Sequence, residues 1–222
     1  MFCGEQFPQY IADSWKKAAP NSTIENLYGP TEATIYISRF NYLEKFKDDI
    51  FKNGILPIGI PFEDHNVIIM DESFNKLGDG KIGEICFSGK QLSTGYLKDF
   101  KKTNDVFVNF HNKRWYRTGD IGFKNNKGFL ECLGRKDNQI KISGRRIEIG
   151  EIEFVLSKFK KTKNSIVVPV RDKREIVIGC VAFINESINN DEELQIRLKS
   201  LKYLDKVFFL KKIIKIEKFP LN

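Results

Sequence analysis

The chain has 222 residues, of which 41% are hydrophobic and 13% aromatic, including 19 Phe. This content excludes a disordered or low-complexity polypeptide and is enough for one large core or two small ones. The formal charge of +8, from 37 Lys+Arg against 29 Asp+Glu, admits polyanionic partners of several kinds: nucleic acid, anionic lipid or an acidic protein.

In chain order, Pro8 suits the first turn of a helix running to Ala19, which Pro20-Asn21-Ser22 ends. Short strands are predicted up to Asn26 and over residues 34–40, flanking the turn Tyr28-Gly29-Pro30-Thr31-Glu32. Residues 65–70 and 83–87 read as strands separated by a turn-rich connection with Asp79-Gly80. Further short strands are predicted around Trp115-Tyr116 and over residues 128–133. Strands of this length between Gly and Asp turns suggest a small β-barrel or sandwich-like unit across residues 55–135.

The second part has a different character. Residues 1–137 carry 19 basic and 18 acidic side chains, residues 138–222 carry 18 and 11; the change in balance marks a domain boundary near residue 137. Residues 139–142 alternate as a half-buried strand does. Ile149, Ile152, Leu156 and Phe159 then fall on one helical face. Strands over 165–170 and 176–184 precede a helix that opens on Asp191-Glu192-Glu193 and is expected to bury Leu194, Leu198 and Leu201. Strands near 207–210 and 213–216 complete a compact α+β unit of about 85 residues.

Cys3, Cys86, Cys132 and Cys180 form no C-x-x-C pair, and neither His65 nor His111 lies near one of them. A zinc site and a disulfide framework are therefore not expected. No apolar run approaches the ~18 residues that cross a bilayer. The first residues lack the charged and apolar regions of a signal peptide. A soluble, cytoplasmic protein without membrane insertion is expected.

Three constellations carry chemistry. Asn26-Leu27-Tyr28-Gly29-Pro30-Thr31-Glu32 presents an aromatic face, a hydroxyl and a carboxylate around one tight turn. Tyr28 can stack on a base, Thr31 can bond a phosphate, and Glu32 can give a hard oxygen to Mg²⁺. Tyr116-Arg117-Thr118-Gly119-Asp120 ends a predicted strand with an acid able to accept two hydrogen bonds from a ribose diol. Residues 134–153 combine a basic turn, a strand, a Gly hairpin and a helix entry where the charge balance changes. Each alone is also what an ordinary surface turn looks like.

Together, N-L-Y-G-P-T-E at 26–32, G-E-I-C-F-S-G with S-T-G-Y-L at 83–97, Y-R-T-G-D-I at 116–121 and residues 134–153 stand in the order of the motifs of acyl-adenylate-forming enzymes. The chain resembles their amino-acid adenylation branch. Phe2-Cys3-Gly4-Glu5, Glu32-Ala33-Thr34 and Leu56-Pro57-Ile58-Gly59 are most similar to the wording of D-alanine–carrier-protein ligases.

The resemblance implies that residues 1–137 are the end of a large α/β lobe with a β-barrel subdomain, and residues 138–222 a compact α+β lid. It implies ATP and Mg²⁺ as cofactors, an amino acid as substrate and an acidic phosphopantetheinyl carrier protein as partner, with no nucleic acid bound, in a monomer. Asn26, Leu27, Tyr28, Gly29, Pro30 and Thr31 would line the adenine and α-phosphate. Glu32 would hold Mg²⁺, Asp120 and Arg135 would bind the ribose, and Asp137 would be the hinge of the lid. Cys3 and Ile35 would line the amino-acid pocket, with Cys3 equally a buried filler. Gly95 and Tyr96 are read as structural.

The family's phosphate loop has no counterpart here, and no G-x-x-x-x-G-K-[ST] replaces it. The family's catalytic lysine would lie just beyond Phe219-Pro220-Leu221-Asn222. A C-terminal piece of a larger enzyme, inactive by itself, is therefore expected. Ser143 and Arg145 depart from the family pattern in the hairpin, which opens carrier specificity. A peptide-synthetase-like domain for another amino acid, an acyl-CoA ligase and a non-catalytic carrier-binding module remain the alternatives.

Overall fold

A computed structural model describes residues 1–46, 51, 54–137, 139–142, 145–173, 176–200 and 210–219. The chain divides into two compact units, Met1–Asp137 and Asn138–Asn222.

The first unit is built on two sheets. One has the order β1-β2-β3-β4, from β1 (Phe2–Cys3), β2 (Ile24–Tyr28), β3 (Ser38–Tyr42) and β4 (Ile60–Pro61). β1 runs parallel to β2 and the other pairs are antiparallel. The helix α1 (Gln9–Ala18) lies between β1 and β2 in sequence and starts at Pro8, whose fixed φ of −63° suits a helix entry. Phe7, Ala12, Ile24, Phe40, Tyr42, Phe46, Phe51 and Leu56 form its core.

The second sheet is antiparallel and curls as a half-barrel, in the order β10-β9-β7-β5-β6, with β8 also paired to β9. Its strands are β5 (Asn66–Met70), β6 (Lys76–Leu77), β7 (Gly83–Ser88), β8 (Phe107–Phe110), β9 (Lys113–Lys124) and β10 (Leu130–Arg135). A short helix, α2 (Phe100–Val106), precedes β8 and is capped by the Asp99 carboxylate, which accepts from the Lys102 amide at 2.9 Å. Nothing in the sequence pattern pointed to α2, because none of its residues is buried and apolar periodicity is missing. A second core of Tyr28, Ala33, Ile37, Ile58, Ile69, Ile85, Phe87 and Leu130 brings side chains of both sheets together. The sheets also touch through backbone: Gly59, next to β4, bridges Leu130 of β10.

β9 is a single strand of 12 residues rather than the short strand expected at Trp115-Tyr116. Its buried residues alternate, Tyr116, Thr118 and Asp120 facing inwards, so polar side chains occupy core positions and hide the apolar alternation from the sequence.

In the second unit, β11 (Gln139–Ile142) and β12 (Arg145–Glu148) form a hairpin, followed by α3 (Ile149–Leu156). The expected hairpin residues Ser143 and Gly144 lie outside the described residues. β13 (Ser165–Arg171), β14 (Val177–Ile184) and β15 (Leu210–Lys215) make a sheet in which β14 pairs antiparallel with β13 and parallel with β15. Ile140, Ile149, Ile152, Leu156, Val167, Ala182, Ile184, Ile196 and Ile213 are among its core.

The helix α4 (Asn190–Ser200) corrects one expectation. Leu194 and Leu198 are 51% and 50% exposed, whereas Ile196 and Ser200 are buried. Residues 196 and 200 share one helical face by their spacing of four, and 194 and 198 point away from it. Leu201 and residues 207–209 lie outside the described residues.

Candidate functional site

Two hydrogen-bonded groups collect the chemistry-bearing residues of the first unit. The first is held by β2, β9 and β10. Tyr28, at the end of β2, is buried against Phe87, with ring centroids 5.9 Å apart. Its hydroxyl donates to Asp120 Oδ2. Arg135 is the direct cross-strand partner of Asp120, and its Nη1 donates to Asp120 Oδ1 at 3.3 Å and to the Thr118 carbonyl at 2.5 Å. The other edge of the same guanidinium grips Asp137, Nε to Oδ1 at 2.9 Å and Nη2 to Oδ2 at 2.5 Å. Tyr28, Asp120, Arg135 and Asp137, taken from three segments, thus form one chain.

The backbone explains why Asp120 reaches this position. Glu84 pairs with Ile121, and Cys86 with Arg117, so Thr118, Gly119 and Asp120 stand opposite Ile85 alone. Such a bulge kinks the strand and re-aims a side chain. Gly119 has φ of +73°, which glycine adopts without strain. A Cβ there would lie 2.5 Å from Arg135 Nη2. The bulge is fastened by Glu84, whose Oε1 accepts from the Gly119 amide at 3.0 Å while its Oε2 pairs with Arg117 Nη2 at 2.6 Å. The Thr118 hydroxyl donates to the Ile85 carbonyl at 2.7 Å and accepts from the Asp120 amide at 2.9 Å.

Electrostatics follow from burial. Removal from water, and then the Asp120 charge, raise the Tyr28 phenol well above its ordinary value, so it stays a donor. Burial works against the Arg135 cation, but Asp137 and Asp120 outweigh it and hold the guanidinium protonated. Asp120 itself is 9% exposed. A carboxylate offers about four lone-pair sites; Tyr28 and Arg135 use two.

The second group surrounds Glu32. Residues Thr31–Ala33 form a 3₁₀ turn immediately after Pro30. Gly29 allows the returning chain to lie against it, since a Cβ there would be 2.4 Å from Tyr36 Cα. Glu32 is buried at 7% exposure, and Oε1 of its carboxylate accepts from the Tyr96 hydroxyl. Thr31 beside it is exposed. A single carboxylate with adjacent hydroxyls is a hard-oxygen environment of the kind Mg²⁺ shares with phosphate groups. Among the described residues, no group of three or more His, Cys, Asp or Glu side chains is arranged for a metal.

The remaining candidates are placed as follows. Asn26 is buried, and its amide donates to the Pro57 carbonyl at 2.8 Å, fastening β2 to the segment before β4. Leu27 is buried and pairs with Cys3 in the parallel register of β1 and β2. Cys3 is exposed in this chain. Ile35 is 66% exposed with φ of +72°, following Thr34 at +55°. A β-branched residue in the left-handed region is a strained one. Tyr96, read from sequence as structural, joins the candidate site through a partner 64 residues away. Glu84 and Thr118 were likewise missed, because their roles depend on the bulge. Among the described residues, no helix is long and apolar enough to cross a membrane.

The chain is similar to known proteins over most of its length. Residues 1–97 match the family of AMP-binding enzymes. The chain is 34% identical over 201 residues to the D-alanine--D-alanyl carrier protein ligase of Bacillus licheniformis, covering 90% of this chain and 39% of that protein. It is 36% identical over 183 residues to the protein of the same name from Streptococcus pneumoniae, covering 82% and 35%. Among solved structures, the Vibrio cholerae adenylation domain AlmE in complex with glycyl-adenosine-5'-phosphate superposes with a TM-score of 0.85 at 33% identity, over 99% of this chain and 41% of that one. PA1221, an NRPS protein containing adenylation and PCP domains, shares the fold with a TM-score of 0.78 at 22% identity, over 99% and 43%. Residues 1–97 of this chain, which spans 39% of the length of the first of these curated relatives, are thus similar to the AMP-binding enzymes.

Proposed function

We propose that the protein carrying this chain is an ATP-dependent, AMP-forming ligase that activates D-alanine and passes it to a phosphopantetheinyl carrier protein. In the first step an amino-acid carboxylate attacks the α-phosphate of ATP, giving aminoacyl-AMP and pyrophosphate. In the second, a phosphopantetheine thiol attacks the mixed anhydride and releases AMP.

The observation that carries this reading is the buried chain Tyr28–Asp120–Arg135–Asp137 beside the N-L-Y-G-P-T-E turn. Asp120 keeps acceptor capacity that a ribose diol can use, while Tyr28 and Arg135 hold its orientation and charge. Asn26 to Thr31 line the adenine and α-phosphate, and the Thr31 hydroxyl is exposed to donate to phosphate oxygens. Glu32 would hold Mg²⁺, whose charge would offset that of the phosphates. Cys3 and Ile35 border the amino-acid pocket, and the residues 138–222 act as a lid turning about Asp137. The excess of basic residues in the lid suits ATP and an acidic carrier better than nucleic acid, and an ATP-consuming reaction of this kind belongs in the cytoplasm.

The carrier-protein ligases of Bacillus licheniformis and Streptococcus pneumoniae support D-alanine. The glycyl-adenylate complex of AlmE, at a similar identity, favours glycine as the second reading. Amino-acid-dependent pyrophosphate exchange by the full-length protein, run with D-alanine, glycine, L-amino acids and fatty acids, separates these. D-alanine is expected to give the highest kcat/KM; exchange with fatty acids alone, or with none of them, refutes the proposal.

A further inference from the structure

The carboxylate of Glu32 is held by a strap formed by residues 93–96. The Ser93 amide donates to the Glu32 carbonyl at 2.8 Å, and the Tyr96 hydroxyl donates to Glu32 Oε1. Main chain and side chain of one residue are therefore both gripped by the same four-residue segment. That segment is itself pinned from outside. Arg114 Nη1 and Nη2 donate to the carbonyls of Ser93 and Thr94, at 2.6 and 2.9 Å. The Tyr96 amide donates to Thr103 Oγ1 at 2.9 Å, on α2. Gly95, at φ +143°, lies so close to Thr103 that a Cβ would come within 2.5 Å of Thr103 Cγ2. Arg114 also stacks over Phe107 at 4.0 Å, and Lys102 over the Tyr96 ring at 4.9 Å.

We propose that Tyr96 is a positioning residue for the metal: its hydroxyl, donated to Oε1, orients the Glu32 carboxylate towards a divalent cation bound with nucleotide phosphates. This rests on the reading of Glu32 as the Mg²⁺-holding residue. A hydrogen-bonded hydroxyl on one oxygen restricts the carboxylate to one orientation, and ligating carboxylates depend on such outer partners for about 10–100-fold of metal affinity. The buried setting strengthens the contact, since the alternative partner, water, has little access to Glu32. The strap explains why S-T-G-Y at 93–96 is spaced as it is: Gly95 permits the close approach to α2 that brings the phenol under the 3₁₀ turn.

The test is a Mg²⁺ titration of pyrophosphate exchange by the full-length protein with Tyr96→Phe, Glu32→Gln and the double variant, with thermal melting as a check on folding. Tyr96→Phe is expected to raise the half-saturating Mg²⁺ concentration about ten-fold and leave the KM for the amino acid unchanged. Glu32→Gln should raise it at least as much, and the double variant no further than Glu32→Gln alone. If Glu32→Gln raises the Mg²⁺ requirement and Tyr96→Phe does not, the positioning role is refuted while the metal role of Glu32 stands. If Glu32→Gln leaves Mg²⁺ dependence unchanged, the metal reading itself fails, and the inference with it. If Tyr96→Phe lowers the melting temperature and worsens both KM values together, its role is structural and the inference is wrong. Arg114→Lys loosens the strap without touching the phenol and should raise the Mg²⁺ requirement by a smaller factor; no change in a folded Arg114→Lys protein also counts against the strap.

Discussion

Replacing Gly59 by alanine should damage the first unit far more than the same change at Gly80. Both glycines have nearly the same backbone, φ +81° and +77°, so each alanine pays about 1 kcal/mol for the left-handed conformation. Their surroundings differ. A Cβ on Gly80 meets nothing within 4 Å, whereas one on Gly59 would lie 1.8 Å from the Arg39 carbonyl oxygen and 2.5 Å from the Phe40 amide nitrogen. These are backbone atoms of β3, which cannot swing aside as a side chain can. Relief requires a displacement of about 1.5 Å, enough to break hydrogen bonds. Those at risk are Ile58 N to Leu130 O at 2.9 Å and Leu130 N to Gly59 O at 2.8 Å. With about 1 kcal/mol for each bond, Gly59→Ala should cost roughly 3–4 kcal/mol, a large part of the ~5–15 kcal/mol of a typical domain. Urea unfolding followed by tryptophan fluorescence reads this unit, because both tryptophans, Trp15 and Trp115, belong to it. Equal midpoint shifts for Gly59→Ala and Gly80→Ala would refute the steric argument. The lesion also has a functional side, since Gly59 bridges the sheet that carries Tyr28 to the sheet that carries Asp120.

Two further outcomes are expected. Tyr28→Phe leaves the buried Asp120 carboxylate without its phenol donor and should destabilise the first unit by about 1–2 kcal/mol; an unfolding curve that overlays the parent's would contradict the bond. Stability should also fall in alkali. Burial first, and then the Glu84 charge, push the Cys86 thiol up to about 12. The folded protein thus prefers the neutral thiol. That preference is complete below the ordinary thiol value of about 9 and is lost as pH rises from there towards 12, with a slope of at most about 1.4 kcal/mol per pH unit. Tyr28, raised by the same kind of burial, acts in the same direction. Cys86→Ala should flatten the decline between pH 9 and 11 in urea midpoints, and an unchanged slope would remove Cys86 from the account.

Much of the architecture was legible in residues that are neighbours along the chain. The run Asn66–Met70 and the spacing of Ile149, Ile152 and Leu156 each announce an element, because burial of one strand or helix face leaves a local period in the sequence. The mixed fold class and the family resemblance followed from such elements and from four ordered motifs. Where the local pattern was ambiguous the reading failed. In α4, leucines at 194 and 198 and an isoleucine at 196 offer two opposite faces, and only the packing of the second unit selects the isoleucine.

The site divides along the same line. The sequence by itself determined which groups are available: a phenol at 28, a carboxylate at 32, an acid at 120 and a guanidinium at 135, with glycines at 29 and 119 where the backbone must approach closely or turn left-handed. Tertiary structure decided which of them meet. Tyr28 and Asp120 are 92 residues apart, and Glu32 and Tyr96 are 64 apart, so neither pairing leaves a periodic trace. A three-residue bulge opposite Ile85 aims Asp120, and a strap anchored by Arg114 and Thr103 aims Tyr96. Hydrogen bonds of this range depend on the register between strands and on the path of a loop, which chain order alone does not specify.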